Sequence, residues 1–113
     1  MVNRLSDNTD EPPVFAKRLK EVRLLAGLSQ ERLGVLARID EFSASARINQ
    51  YERGKHNPDF QTAERLAEVL NIPTPYFYAR DDLLAEMILR FGGLSRVKQA
   101  EAISRLAGDK KED

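Results

Sequence analysis

Between residues 43 and 53 the chain concentrates small and hydrogen-bonding side chains around a single isoleucine. Arg47 and Gln50 carry paired groups that match the hydrogen-bonding edges of purine bases, and Ser45 can bond to several bases. Ala46 is small enough to lie against a thymine methyl group, and Asn49 adds a further amide. On a helix in the major groove of duplex DNA, these five side chains would contact bases directly. The same residue types also occur on ordinary amphipathic surface helices, so these residues alone leave both interpretations open.

Side chains suited to phosphate contacts flank this segment on both sides. Arg53 and Lys55 belong to a basic turn, which either grips phosphates or is simply solvated. On the other side, Ser29 and Gln30 stand at the start of a predicted helix, where free amides and the helix dipole favour an anion. The candidate phosphate contacts are Ser29, Gln30, Ser43, Arg53, Lys55, His56 and Asn57.

The distribution of charge favours an anionic partner, although the net charge is zero. Residues 15–58 hold nine Lys and Arg against five Asp and Glu, whereas residues 1–14 and 59–113 each have a net charge of −2. A polyanion at contact distance responds to the local excess rather than to the total. On charge alone, a chance imbalance on a solvated surface is an equal alternative.

Composition argues against several other kinds of site. The chain has no cysteine and a single histidine, so we expect no disulfide, no metal centre and no cofactor. It also has no glycine-rich phosphate loop, and an enzyme is therefore the least favoured class. No apolar run approaches the roughly 20 residues that span a bilayer, and the acidic N-terminus does not resemble a signal peptide. The sequence predicts a cytoplasmic, nucleoid-associated protein with no membrane partner.

Helices must position these residues, because no segment alternates with the period of two that a strand requires. Apolar residues recur at helical spacing from Val14 to Ala26, and Gly27 is placed to end this helix. Ser29 can cap a second helix. The other predicted starts are Asp40 or Ser43 for the third helix, which Gly54 ends, Asp59 or Phe60 for the fourth, Thr74 for the fifth, Asp81 or Asp82 for the sixth, and Ser95 for the last.

The same periodicity assigns inner and outer faces. It places Arg18 on the solvent side of the first helix, and Leu36 and Phe60 on the inner faces of the second and fourth helices. Tyr51 is expected to pack against the core, with a phosphate contact of its hydroxyl as the less favoured alternative. The aromatic run Tyr76–Tyr78 is interpreted as a lid over the core, with stacking on single-stranded bases as the less favoured alternative.

Three segments in sequence order resemble the phage-repressor (Cro/cI, or Xre) helix-turn-helix family of transcriptional regulators. They are Arg18–Leu33, with Ala26-Gly27-Leu28-Ser29-Gln30 at its turn, then Ile48-Asn49-Gln50-Tyr51-Glu52-Arg53-Gly54-Lys55 with Asn57-Pro58, then Leu66–Pro73. The resemblance covers about residues 14–79. It implies a five-helix lambda-repressor-like domain whose third helix reads DNA, with one or two extra C-terminal helices.

The resemblance also implies roles for residues outside the reading surface. Gln30 would contact a phosphate and brace the third helix. Arg23 would pair with Glu52, holding the first helix to the third and keeping an acid away from phosphates. One departure from the family is a connection about four residues longer before Ile48, at residues 38–45, which one helical turn can absorb.

These observations predict three parts: a flexible arm at residues 1–13, a helix-turn-helix domain at 14–79, and a helical extension at 80–113. The predicted function is sequence-specific binding of a double-stranded DNA operator by a homodimeric repressor that inserts the helix around residues 43–53 into the major groove. The apolar stripe of the extension either forms the dimer interface or extends the core. The alternative function is an antitoxin-type autoregulator whose C-terminal helices hold another protein.

Overall fold

The computed structural model describes residues 11–112, so most of the predicted arm lies outside the described part. Over that range the chain forms six α-helices and one 3-10 helix with no strand, which confirms the predicted all-α class. The helices are α1 (Val14–Leu25), α2 (Gln30–Leu36), α3 (Ala44–Glu52), α4 (Phe60–Leu70), the 3-10 helix (Thr74–Tyr78), α5 (Asp82–Gly92) and α6 (Arg96–Glu112). None of these helices is both long and apolar enough to cross a membrane.

The core lies between helices α1 to α4 and the 3-10 helix. Each of these five elements contributes one large, fully buried side chain: Leu19, Leu33, Ile48, Leu66 and Phe77. The rings of Phe15 and Phe77 pack at a centroid distance of 4.6 Å, a favourable tilted arrangement. Tyr76 and Phe77 are buried as the predicted lid requires, whereas Tyr78 is about half exposed.

Three successive helices end in the same backbone motif, with a left-handed residue just beyond the helix. After α1 and α3 this residue is the predicted glycine, Gly27 (φ 72°) and Gly54 (φ 73°). After α2 it is Arg38 (φ 68°), a conformation that costs a non-glycine residue about 1–2 kcal/mol. There Ile39 N donates to Gly34 O at 2.9 Å, which closes the turn. The chain therefore reverses sharply at three points, and α1, α2 and α3 form one tight group.

Side-chain caps begin most of the later helices where the sequence predicted them. Ser29, Asp59 and Asp81 each accept a hydrogen bond from the backbone amide three residues further on, at 2.8–2.9 Å. Ser95 makes the same bond more weakly, at 3.3 Å.

Two capping predictions were wrong. Thr74 does not cap a helix, because Pro73 occupies the N-cap and the short segment that follows closes as a 3-10 turn. Asp40 does not cap α3 either, since the helix begins later, at Ala44. Ser43 occupies that N-cap, but its hydroxyl donates to Asp40 O at 3.4 Å and accepts no capping bond.

Three predicted faces also need correction. Arg18 is buried instead of solvent-facing, because acceptors from the segment before α5 cover it. Phe60 is 63% exposed. It shares a face with Ala63 and Ala67, but it is the first residue of α4, where that face extends beyond the core. Leu36, the last residue of α2, is 41% exposed.

Helix α5 continues the core instead of standing apart from it. Ala85 is buried in the core cluster, and Ile88 and Leu89 pack against that cluster. At the end of α5, Gly92 lies so close to Pro73 that a Cβ atom there would be 2.5 Å from the proline ring. The first helix of the extension is thus packed against the core, while the large apolar residues of α6 are exposed.

Candidate nucleic-acid interface

Helix α3 buries one side and exposes the other. Ala44, Ile48 and Tyr51, at spacings of four and three residues, form the buried side. The predicted base contacts lie away from that side: Ser45, Ala46 and Arg47 are exposed, and Asn49 and Gln50 are half-buried. The five side chains that could contact bases therefore share the accessible part of a helix whose opposite side is fixed in the core.

A glycine lets α2 and α3 approach closely. A Cβ atom at Gly34 would lie 2.8 Å from Ala44 Cβ and 3.0 Å from Ala44 O, at the start of α3. Gly34 was not identified from the sequence. A usable signal was present, because a glycine inside a predicted helix costs about 1 kcal/mol relative to alanine and needs a packing reason.

The only acidic residue between positions 42 and 58 is Glu52, and its side chain is 3% exposed. Arg23 Nε donates to Glu52 Oε2 at 2.6 Å and Nη2 donates to Oε1 at 3.0 Å, a two-point contact. The remaining Nη1 donates to Leu28 O at 2.9 Å in the turn between α1 and α2. The pair that the resemblance implied is thus formed, and it removes the one negative charge of this segment from the surface.

Gln30 joins the same network from the first turn of α2. Its Nε2 donates to Glu52 Oε1 at 3.0 Å and to Asn49 Oδ1 at 3.3 Å. The implied bracing of α3 by Gln30 is therefore present. Both amide hydrogens are used inside the protein, which disfavours a phosphate contact by this side chain in the same conformation. Asn49 keeps its own amide hydrogens for another acceptor.

The basic turn after α3 folds back over the helix. Lys55 N donates to Gln50 O at 2.9 Å, and Gly54 N donates to Tyr51 O at 3.2 Å. A cleft of about 290 Å³ results, lined by Arg47, Gln50, Tyr51, His56 and Asn57. The fold therefore brings two candidate base contacts, Arg47 and Gln50, next to two candidate phosphate contacts, His56 and Asn57.

The other candidates take separate places. Arg53 and Lys55 are exposed beside this cleft, and among the described side chains neither forms an ion pair. Ser29 is exposed at the start of α2, where its hydroxyl is occupied as a cap. Ser43 is half-buried at the start of α3. The long connection before it carries Phe42, which is 94% exposed and which the sequence analysis did not single out.

The exposed charges make this side of the molecule cationic. Within residues 15–58, seven of the nine basic side chains are exposed, and Arg18 and Arg23 are the buried pair. Four of the five acids are exposed, all before residue 42. From α3 through the basic turn, only positive charge is therefore exposed.

A helix-turn-helix family model matches residues 19–77, more than half of the chain. The chain belongs to the Cro/cI-like helix-turn-helix family. Its fold is the lambda-repressor-like all-α fold, as predicted, and members of this family bind DNA. All the candidate contacts of this Cro/cI-like protein, from Ser29 to Asn57, lie inside the matched segment.

One solved structure extends the similarity beyond the matched domain. The crystal structure of the transcriptional regulator BswR superposes with a TM-score of 0.76 at 46% sequence identity. The match covers 82% of this chain and 92% of that one. No curated protein matches the chain.

Proposed function

We propose that this Cro/cI-like protein is a homodimeric transcriptional repressor that inserts α3 into the major groove of a palindromic operator. The burial of Glu52 against Arg23 carries the proposal, because it leaves the outer side of α3 without an exposed acid. On an ordinary amphipathic surface helix, a glutamate can remain exposed to solvent. On a helix that approaches phosphates, an exposed carboxylate repels the duplex, so its burial favours DNA binding.

Arg47 and Gln50 are the main base contacts in this proposal. Both line the same cleft on α3, and both side chains can form paired hydrogen bonds with a purine. Ser45 and Ala46, on the exposed first turn, would contact neighbouring bases. A helix-turn-helix protein uses the N-terminal part of its recognition helix in this way.

Arg53, Lys55, His56 and Asn57 would hold the DNA backbone. They lie beyond the C-terminal end of α3, in the turn that folds back over it. Phosphate contacts fix the position of a protein on the duplex without reading sequence. Substituting Lys55 by alanine should therefore weaken binding to all sequences alike and reduce the salt slope by about one.

The dimer rests on the apolar side of α5 and α6. Leu83, Leu84 and Met87 are exposed on α5 and line a cleft of about 490 Å³ together with Asp81 and the Glu86–Arg90 ion pair. A two-fold interface brings the same patch of two copies together, and these three apolar side chains would then be covered by their own counterparts. A single recognition helix offers few base contacts, and this class binds paired half-sites as a dimer. A second copy of the chain is therefore the proposed occupant.

The base contacts are tested by selecting bound sites from random DNA and titrating the best site with variants. Arg47→Ala and Gln50→Ala should each weaken binding by about 1–3 kcal/mol and relax the preference at one base position. Arg80→Ala, which removes an exposed arginine between the 3-10 helix and α5, is the charge-matched control and should leave the selected sequence unchanged. Full selectivity in both α3 variants would refute the placement of the reading helix.

The dimer is tested by light scattering on Leu83→Glu, with Leu25→Glu as the control. Both leucines are among the most exposed in the described chain, at 76% and 85%, but Leu25 lies on α1, away from the α5 cleft. Leu83→Glu should give monomers and weaken binding to paired half-sites, while Leu25→Glu stays dimeric. If the unsubstituted protein is monomeric at micromolar concentration, the interface belongs to another protein, as in the antitoxin-type alternative.

A further inference from the structure

Arg18 is one of two buried arginines in the described chain, and the proposed reading of DNA does not use it. It lies on α1, and its guanidinium is directed to the segment that joins the 3-10 helix to α5. Nε donates to Ala79 O at 2.9 Å, and Nη2 donates to Arg80 O at 2.9 Å and to Asp82 Oδ1 at 3.0 Å. These bonds connect positions 61 to 64 residues apart in sequence.

The rest of the guanidinium is also held in place. Nη1 lies 3.5 Å from Glu21 on the next turn of α1, and the group packs over the Tyr76 ring at 5.4 Å from its centroid. Burial by itself lowers the pKa of Arg18, but the hydrogen bond with Asp82 and the nearby negative charges raise it, so the group stays cationic. A planar fork of donors meets two carbonyls and one carboxylate here, which the single ammonium of a lysine cannot reproduce.

Helix α5 is fixed at its other end as well. Gly92 lies against Pro73, which begins the 3-10 segment, and Ala85 is buried between the two ends. With contacts at its start, middle and end, α5 cannot pivot freely on the helix-turn-helix domain.

The same helix α1 also holds α3. Arg23 lies five residues after Arg18 and binds Glu52, the last residue of α3. Helix α1 therefore binds the recognition helix α3 through Arg23 and the first helix of the extension, α5, through Arg18.

We infer that Arg18 is a positioning residue that fixes the direction of α5 relative to α3, and thereby sets the half-site spacing that the dimer accepts. This inference rests on the proposed function, in which α5 contributes to the dimer interface. The distance between two recognition helices across a dimer depends on the angle between each helix and the dimer axis. Half-site spacing is the DNA feature that responds to this distance.

The experiment uses the full chain and a set of DNA duplexes. Each duplex carries two copies of the selected half-site, separated by spacers that differ by one base pair. Affinity is measured for every spacer and for a single half-site, and the dimer mass is measured in parallel. The unsubstituted protein should prefer one spacer over its neighbours by about tenfold, the discrimination that one mismatched base pair gives.

Arg18→Lys should flatten this spacer profile while the dimer mass and the single half-site affinity stay unchanged. The matched control is Arg80→Ala. It removes an exposed side chain that pairs with Glu11, and it keeps the Arg80 carbonyl that accepts from Arg18. The control should retain the sharp profile.

A sharp, unchanged profile in Arg18→Lys would overturn the inference. If that variant fails to fold, Asp82→Ala decides, because the side chain of Asp82 is 80% exposed and supplies the one Arg18 acceptor that lies on α5 itself. A partly flattened profile in Asp82→Ala supports the inference, and an unchanged one overturns it. A dimer that binds paired half-sites with no preferred spacer also overturns it. A monomer, or a chain that ignores duplex DNA, would instead refute the proposed function.

Discussion

Helices α3 and α5 are held to the rest of the molecule by the same two devices. Each is bound to α1 by a buried arginine, Arg23 for α3 and Arg18 for α5. Each also has a close contact at a glycine, Gly34 against the start of α3 and Gly92 at the end of α5. The fold thus fixes two short helices that present very different outer surfaces.

The difference lies in the acid that each arginine binds. Glu52 has a 3% exposed side chain, whereas Asp82 is 80% exposed and shares its arginine with two backbone carbonyls. The Arg23–Glu52 contact must remove a negative charge from a cationic surface, so both side chains of this pair are buried. The α5 contact has only to fix a direction, and carbonyl acceptors do so without burying an acid.

The largest expected effect is the loss of Arg23. Arg23→Ala strands the Glu52 carboxylate in the protein, and we expect the free energy of unfolding to fall by about 3–5 kcal/mol. Arg18→Ala should cost less, because its acidic partner returns to water. Urea unfolding of both variants measures the difference.

A double variant sharpens this result. Replacing the pair by apolar residues, Arg23→Met with Glu52→Leu, removes both charges together and should recover most of the lost stability. Equal losses in Arg23→Ala and Arg18→Ala would show that the two contacts do not differ as described.

Substitutions at the two close-contact glycines, Gly34 and Gly92, should differ in their effect on DNA binding. Gly34→Ala places a methyl group against the Ala44 side chain and backbone, and we expect a net loss of about 1–2 kcal/mol after the gain in helix propensity. Because the start of α3 must shift, binding to a single half-site should weaken as well.

Gly92→Ala is the matched comparison at the other helix. Its methyl group would meet only the Pro73 ring, at the end of α5, so single half-site affinity should stay unchanged. Titration of a single half-site with both variants tests this. A loss of half-site affinity in Gly92→Ala would contradict the separation of the two regions.

The sequence predicted the contacts that hold α3 better than those that hold α5, for a physical reason. Signals for α3 are local: Gly27 and Gly54 end helices, Ser29 caps one, and Ile48 keeps helical spacing with its neighbours. The Arg23–Glu52 pair was implied by the family resemblance and not by spacing. The structure confirms each of these, while the contacts of Arg47 and Gln50 with DNA remain predictions.

The buried position of Arg18 could not be predicted from local signals in the sequence. Two of its three acceptors are backbone carbonyls more than 60 residues later, and a carbonyl carries no sequence signal. Helical periodicity then assigned a charged residue to the solvent side. Gly34 differs, because a glycine inside a predicted helix was visible and only its partner was not.

A smaller effect is expected in the connection between α2 and α3. Arg38 holds a left-handed conformation that glycine adopts freely, so Arg38→Gly should raise the free energy of unfolding by about 1 kcal/mol. Asn71, left-handed after α4, is the reference, since asparagine tolerates this conformation and gains less from the same change. Thermal unfolding of both variants measures the gain. No gain at Arg38 would mean that its side chain offsets the strain.

The smallest expected effect is a loss of stability at low pH. The hydrogen bond from Arg18, with the charge of Lys17, holds the pKa of Asp82 below its ordinary value. A lowered pKa means that the folded protein releases this proton more readily than the unfolded chain. The stabilisation is therefore complete above the unfolded pKa of about 3.9 and disappears as the pH falls through the folded pKa.

Asp59 complicates a direct titration, because its hydrogen bonds with Thr62 also lower its pKa and its contribution disappears in the same range. The difference between the unsubstituted protein and Asp82→Asn isolates the α5 contact. That difference should be constant from about pH 5 upward and shrink below about pH 4. A difference that changed near neutrality would mean that another group controls the contact. A constant difference through the acid range would mean that the charge of Asp82 does not stabilise its contact with Arg18.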